Sequence, residues 1–346
     1  MVRTGLLAAW LALAPAVCSA QALRLYFIDV EGGQATLVVT PSGQSMLVDT
    51  GWPTDTARDA ERIAAAVRKA GIGTLDYLVI THYHDDHVGG IEQLASRVKF
   101  RTAITHGPTT ETGAKPDAFI ASFRAAVAVS GAKEIVVKPG DTIPLKGIDV
   151  KVVASNRQLI ESPLSGAGAA NPACEGAPQR RTDTSDNSAS VGMLLTFGGF
   201  RFADLGDVTQ DIELALACPV NRLGEVDLYL TTHHGSGQSN NPALVHALKA
   251  RVAIMNNGAK KGGDLAVLKT VRSSPGLEDL WMLHYSVAAG TEGNVAEPLI
   301  ANLGDVSDPA VKDTGFGISV TVQPNGSFTV VNERNSVSKT YPARRR

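Results

Sequence analysis

The chain has 346 residues, 44% of them hydrophobic and 19% charged, with a net charge of −2. This is the composition of a globular protein with a sizeable core, in one large domain or two ordinary ones. A balance so close to neutral gives no strong field towards nucleic acid or an acidic membrane, so a nucleic-acid partner has no support from charge.

In chain order, Arg3, the apolar run LLAAWLALAPAV and the small residues ending in Ala20-Gln21-Ala22 read as a secretory signal peptide over residues 1–22. The run is too short to span a bilayer and carries Pro15. The mature chain is expected to begin near Leu23, to have no membrane span and to be secreted or periplasmic. Two cysteines then remain, Cys174 and Cys218. An exported protein can join them as a disulfide, or they can stay a free buried pair.

LRLYFIDV, ATLVVT and SMLVDTG alternate as strands separated by turns. RDAERIAAAVRKAG has helical periodicity and closes at Gly71. LDYLVIT is an apolar strand running into HYHDDH, and VGGIEQLASR follows as a helix. The second half repeats the style, with strands in IDVKVVAS, SVGMLLTFG, FRFADLG, VDLYLTT, VAIMNN and LEDLWMLH and helices in DIELALAC and NPALVHALKA. FGISVTVQPNGSFTVVN predicts a hairpin turning at Asn325-Gly326. Residues of about 156–186 are rich in Gly, Ala, Pro and Ser and read as a loop inserted between two strands. With no linker in sight, residues 23–346 form one expected domain. Two β-rich halves, each ending in helices, predict an α/β fold, a four-layer αββα sandwich.

His82-x-His84-x-Asp86-His87 lies just after the strand LDYLVIT. A strand end followed by a tight loop lets side chains converge on one point. Imidazoles suit zinc and a carboxylate adds a hard oxygen ligand. Four such groups within six residues exceed what one tetrahedral ion takes from a single loop, which predicts two adjacent ions.

THYHDDHVGG resembles the H-x-H-x-D-H signature of the metallo-β-lactamase superfamily. MLVDTG resembles its first motif, FADLGD its strand-end bridging aspartate, and LTTHHGS its late histidine motif. FIDVEGGQATLV, DNSASVGMLLTFGGFRFADLGD and DLYLTTHHGSGQS are similar to the metal-binding domain of ComEC-type competence proteins and to secreted phosphorylcholine esterases. The resemblance implies that His82 and His84 hold one ion, Asp86 and His87 the other, and that Asp207 bridges them. The ions would be zinc or manganese. It implies His234 as a further ligand, with His233 facing the substrate, and Asp49 as a carboxylate orienting a ligand or a loop. The family's extra histidine before the bridging aspartate is missing. His106 is a polar strand-end histidine beside the site rather than a ligand. Asn187 resembles the asparagine of the competence subgroup and would leave one ion more open to water. The later His-Pro motif is also missing. His284 ends another strand and could enter the site instead, though a core-edge histidine is the simpler reading. Lys260 and Lys261 could meet a phosphate, though a solvated pair is the simpler reading.

The implied chemistry is hydrolysis by a metal-bridging hydroxide, with Asp86, Asp207 and His233 at the reacting centre. No GxSxG, GxGxxG or P-loop is present. The subgroup favours a phosphoester or phosphodiester substrate, or another small molecule. A β-lactam, lactone or other acyl substrate is the second reading, and a non-enzymatic binding protein is disfavoured by the full ligand set. The sequence leaves the oligomeric state open.

Overall fold

The computed structural model describes residues 22–179 and 181–345. The signal-peptide expectation lies, but for Ala22, outside the described residues.

Two sheets form the middle of the molecule. The first has the order Ser338–Tyr341, Phe328–Asn332, Ile318–Val322, Leu23–Phe27, Thr36–Val39, Ser45–Val48, Thr74–Val79, Lys99–Thr105 and Lys133–Val136. Its first six strands are antiparallel, and the last four run parallel. The second has the order Ile300–Asn302, Asp279–His284, Val252–Met255, Leu228–Leu230, Phe200–Asp204, Gly192–Phe197, Asp149–Ser155 and Gln158–Leu159. Its first five strands are parallel.

Strand alternation explains the layering. Met46 and Val48 face the second sheet, while Leu47 turns the other way towards helix Arg58–Lys69. Phe200 and Phe202 join the central core, and Ala203 points out to helices Gln210–Ala217 and Pro242–Leu248. The buried side chains therefore form three separate clusters, one between the sheets and one beneath each outer helix layer. Three cores imply four layers, so the expected αββα sandwich is present.

The 316–332 hairpin forms as expected, with Val322 opposite Phe328 and Gly326 at φ 88° in the turn. The segment VGGIEQLASR does not form one helix. Asp85–Val88 and Ile91–Ala95 are separate short helices divided by Gly89 and Gly90. A Cβ on Gly90 would lie 2.2 Å from the Thr50 carbonyl, so the backbones approach too closely for any other residue. Helix Ala114–Ser130 and strand Lys133–Val136 carry little periodicity and were not expected.

The inserted segment is tied down rather than free. Leu164, Gly168 and Asn171 donate backbone hydrogen bonds to Arg222, Asn221 and Pro219. A Cys174–Cys218 disulfide fastens it to the end of helix Gln210–Ala217, which settles the open choice between bonded and free cysteines.

Candidate metal centre

The parallel strands deliver the candidate residues at their C-terminal ends, where open α/β sheets usually place their sites. In the first sheet, Asp49 follows Ser45–Val48, His82 follows Thr74–Val79 and His106 follows Lys99–Thr105. In the second, Asp207 follows Phe200–Asp204, the His233-His234 pair follows Leu228–Leu230, and His284 ends Asp279–His284.

Asp86, His87, Asp207 and His234 converge on one point and could hold a metal ion. His87 Nε2 lies 3.1 Å from Asp86 Oδ2, 3.2 Å from Asp207 Oδ2 and 3.2 Å from His234 Nε2. His234 Nε2 lies 3.0 Å from Asp86 Oδ2 and 3.4 Å from Asp207 Oδ2. All four side chains are buried. Burial alone would raise the two carboxyls, but the surrounding imidazoles, joined at Asp86 by Lys261, hold both well below the usual carboxylate range. Burial would likewise lower His87, yet Asp207, Asp86 and Asp49 hold it well above its usual value. Carboxylates this deep require positive charge nearby, and a divalent cation fits that need. Among the described residues, Asp207 Oδ1 and His82 Nε2 are buried with no hydrogen-bond partner, so further donors face the same region.

The neighbouring groups fix which imidazole nitrogen is available. Asp49 Oδ2 lies 2.7 Å from His87 Nδ1, and Asp49 also accepts from the Thr81 N–H and hydroxyl at 2.8 and 2.7 Å. His87 is thereby left with Nε2 towards the cluster. Thr81 and Ser190 hydroxyls lie 3.1 and 3.3 Å from His82 Nδ1 and leave its Nε2 free in the same way. A carboxylate or hydroxyl behind a ligating histidine is the usual orienting arrangement. His82 packs against His87 with ring centroids 4.1 Å apart and the rings tilted by 50°. His84 is half-exposed and stands outside the four-residue group, its Nε2 3.2 Å from Glu111 Oε1.

His233 and His234 both adopt left-handed backbone, at φ 54° and 55°. Such conformations cost about 1–3 kcal/mol each in non-glycine residues and concentrate at functional sites. They turn both imidazoles to Asp207. His233 Nε2 lies 3.3 Å from Asp207 Oδ2 and its Nδ1 3.3 Å from Ser239 Oγ.

Three further candidates lie elsewhere. His106 Nε2 lies 3.2 Å from Asp186 Oδ2, and Asp186 also accepts the Tyr83 N–H at 2.8 Å. His106 thus braces the 82–84 loop from behind. Asn187 occupies the short 3-10 turn Asp186–Ala189, its Oδ1 buried without a partner, and is not in the four-residue group. His284 does not enter the cluster. Its Nε2 lies 2.7 Å from Asp29 Oδ1 in a separate group with Glu31, because the end of strand Asp279–His284 meets the 29–31 turn instead. Sequence reasoning missed Thr81, Ser190, Asp186 and Glu111. The first three adjoin motif residues, whereas nothing in the sequence marks Glu111. Lys261 is not solvated with Lys260 either. It contacts Asp86 Oδ2, while Lys260 pairs with Asp305 at 2.8 Å.

Behind the histidine turn, burial pushes Glu213 up to about 7 from 4.5. Its Oε2 accepts the Asn241 N–H at 2.6 Å. A raised carboxyl binds its proton more tightly folded than unfolded. The stability it contributes is complete below about pH 4.5 and is lost as pH rises through about 7. Glu213→Gln should therefore gain stability over the wild type between about pH 5 and pH 8, by on the order of 3 kcal/mol. Urea midpoints across that range check it, and a pH-independent difference would count against it.

Comparison with known proteins gives matches over parts of the chain. Residues 28–167 match the family model of the metallo-beta-lactamase superfamily. The chain is 35% identical over 118 residues to a hydroxyacylglutathione hydrolase of Acidiphilium cryptum (strain JF-5), spanning 34% of this chain and 38% of that protein. It is 21% identical over 249 residues to ComE operon protein 3 of Bacillus subtilis (strain 168), spanning 67% of this chain and 28% of that protein. The chain thus spans well under half the length of either relative. Among solved structures, the metallo-beta-lactamase fold protein YhfI of Bacillus subtilis aligns with a TM-score of 0.47 and 14% identity, covering 76% of this chain and 96% of that one.

Proposed function

We propose, for a chain whose residues 28–167 match the family model of the metallo-beta-lactamase superfamily, that it is an exported dinuclear metal hydrolase acting on phosphoester or phosphodiester bonds. The convergence of Asp86, His87, Asp207 and His234, with Asp207 Oδ1 and His82 Nε2 left unpartnered beside it, carries the reading.

One ion would be held by Asp86, His87, Asp207 and His234. The other would be held by His82, His84 and Asp207, which has an unpartnered buried oxygen. Two divalent ions, zinc or manganese, would supply Lewis acidity and bring a water's pKa towards neutrality. The chain's own residues do the rest. Asp49 keeps His87 Nε2 turned inward, and Thr81 and Ser190 do the same for His82. Asp207, held by three imidazoles, is kept an ionised carboxylate where both ions would need one. His233 is less buried than His234 and is placed to give a hydrogen bond to a substrate oxygen. The phosphoester assignment rests on the likeness of DNSAS and HHGS to competence-type relatives, and ComE operon protein 3 is among the matches. An acyl substrate is the second reading, favoured by the match to a hydroxyacylglutathione hydrolase.

The test uses protein recovered from the exported fraction, with an N-terminus expected near Leu23. It should contain about two transition-metal ions per chain and hydrolyse bis-p-nitrophenyl phosphate faster than nitrocefin at matched concentration. Faster turnover of nitrocefin would overturn the phosphoester assignment and leave the metal centre standing.

A further inference from the structure

We infer that Lys261 is the residue that binds the anionic oxygen of the substrate beside the metal centre. The inference rests on the phosphoester reading above and assigns a role to a side chain which that reading does not use.

Lys261 is held in place by its loop. Asn256 follows strand Val252–Met255, and the chain then runs through Gly258, Lys260, Lys261, Gly262 and Gly263. The Gly258 N–H bonds the Lys261 carbonyl at 2.9 Å and closes the turn. The Gly263 N–H bonds the carbonyl of His234 at 2.9 Å, so the loop is seated directly on the candidate ligand. No side chain fits between them, since a Cβ on Gly262 would lie 2.1 Å from the His234 carbonyl oxygen. On the other side, a Cβ on Gly258 would lie 2.9 Å from the Glu31 carbonyl. Asn257 Nδ2 ties the base of the loop to the Gly258 and His284 carbonyls at 3.0 and 2.8 Å.

From this loop the Lys261 stem passes over Trp52, its Nζ 4.5 Å from the ring centroid, and the ammonium meets Asp86 Oδ2. Lys261 is 35% exposed, against 7% for Asp86 and 0% for His87 and His234. The ammonium therefore sits between the buried cluster and solvent. Asp86 Oδ2 is also the atom that faces His87 and His234. One oxygen cannot serve as a cation ligand and fully neutralise a lysine. The lysine's remaining positive charge faces outward, where a substrate arrives. A lysine binds a phosphoryl oxygen as a compact point charge, and the Trp52 face limits where that charge can move. Lys260 is excluded from the role by its pairing with Asp305 and Ser307.

The experiment compares metal-loaded wild type, Lys261→Ala and Lys261→Arg. Metal content comes from elemental analysis, and inorganic phosphate binding from calorimetry. The expected result is unchanged metal content, phosphate binding at least tenfold weaker in Lys261→Ala, and most of it restored in Lys261→Arg. With bis-p-nitrophenyl phosphate, KM should rise about tenfold in Lys261→Ala while kcat changes less than threefold. Equal phosphate affinity at equal metal content would overturn the inference. So would a loss of metal that accounts for the loss of phosphate binding, because Lys261 would then only support Asp86. A wild type that binds phosphate through Lys261 yet does not cleave phosphodiesters would sink the phosphoester reading and leave the anion site intact.

Discussion

Asp207→Ala should lower activity at least about a thousandfold, roughly 4 kcal/mol of barrier, and bring metal content from about two ions per chain to below one. The side chain lies within 3.2–3.4 Å of three imidazoles through Oδ2, and its Oδ1 is buried without a partner. Removing it takes away the one carboxylate that reaches both proposed ions and leaves His87, His233 and His234 without their common acceptor. The fold should survive. The bond from the Asp207 N–H to Ser190 Oγ is made by backbone, and Phe200 and Phe202 anchor the preceding strand in the central core. A near-native circular dichroism spectrum with less than half the wild-type metal is the expected pair of results. Wild-type activity in the variant would show that the aspartate serves neither ion.

Asp49→Asn should weaken metal affinity by about 10–100-fold, the usual cost of losing a carboxylate behind a ligating histidine. The substitution keeps the shape and can still accept from the Thr81 N–H, which now bonds Asp49 Oδ1 at 2.8 Å. What it loses is the charge beside His87 Nδ1 at 2.7 Å and the certainty of which ring nitrogen carries the proton. Asp49 itself stands at φ 62°, a left-handed conformation that asparagine tolerates well, so backbone strain should not grow. Competition with a chromogenic chelator measures the affinity. An unchanged value would reduce Asp49 to a loop-bracing residue that holds Thr81 alone.

Both predictions concern residues first noticed as motif letters, and they differ in how much the sequence said about them. His82, His84, Asp86 and His87 fall within six residues of a strand end. Local chain geometry alone keeps them near one another, and the sequence sufficed to propose a metal centre there. Most strands were legible too, by alternation where one face is less buried and as short apolar runs where both faces are, although the parallel strand Lys133–Val136 was not. The 323–327 turn followed from Asn325-Gly326. Helix Ala114–Ser130 was not legible, since only Phe123 and Ala126 in it are buried and so weak a stripe leaves no period to read.

Long-range pairing was decided by the tertiary structure. Asp207 and His234 belong to the second sheet and meet Asp86 and His87 from the first only because the two sheets stack with their strand ends on one side. Spacing along the chain carries no information about that stacking, and resemblance had to stand in for it. The same holds for Cys174 and Cys218, which are 44 residues apart and are brought together by the packing of the inserted segment on helix Gln210–Ala217. The placements of His284 and Lys261 were decided in the same way. His284 ends a strand like the other candidates, but the second sheet is wide enough that its end meets Asp29 rather than the cluster. Lys261 reads as a solvated surface lysine, and a glycine loop pressed against His234 brings its ammonium to Asp86. What the sequence by itself determined is the chemistry available within each short segment, because covalent proximity limits where those side chains can go. Which segments share a site was fixed only by the burial of two sheet faces against each other, a cooperative outcome that no single segment encodes.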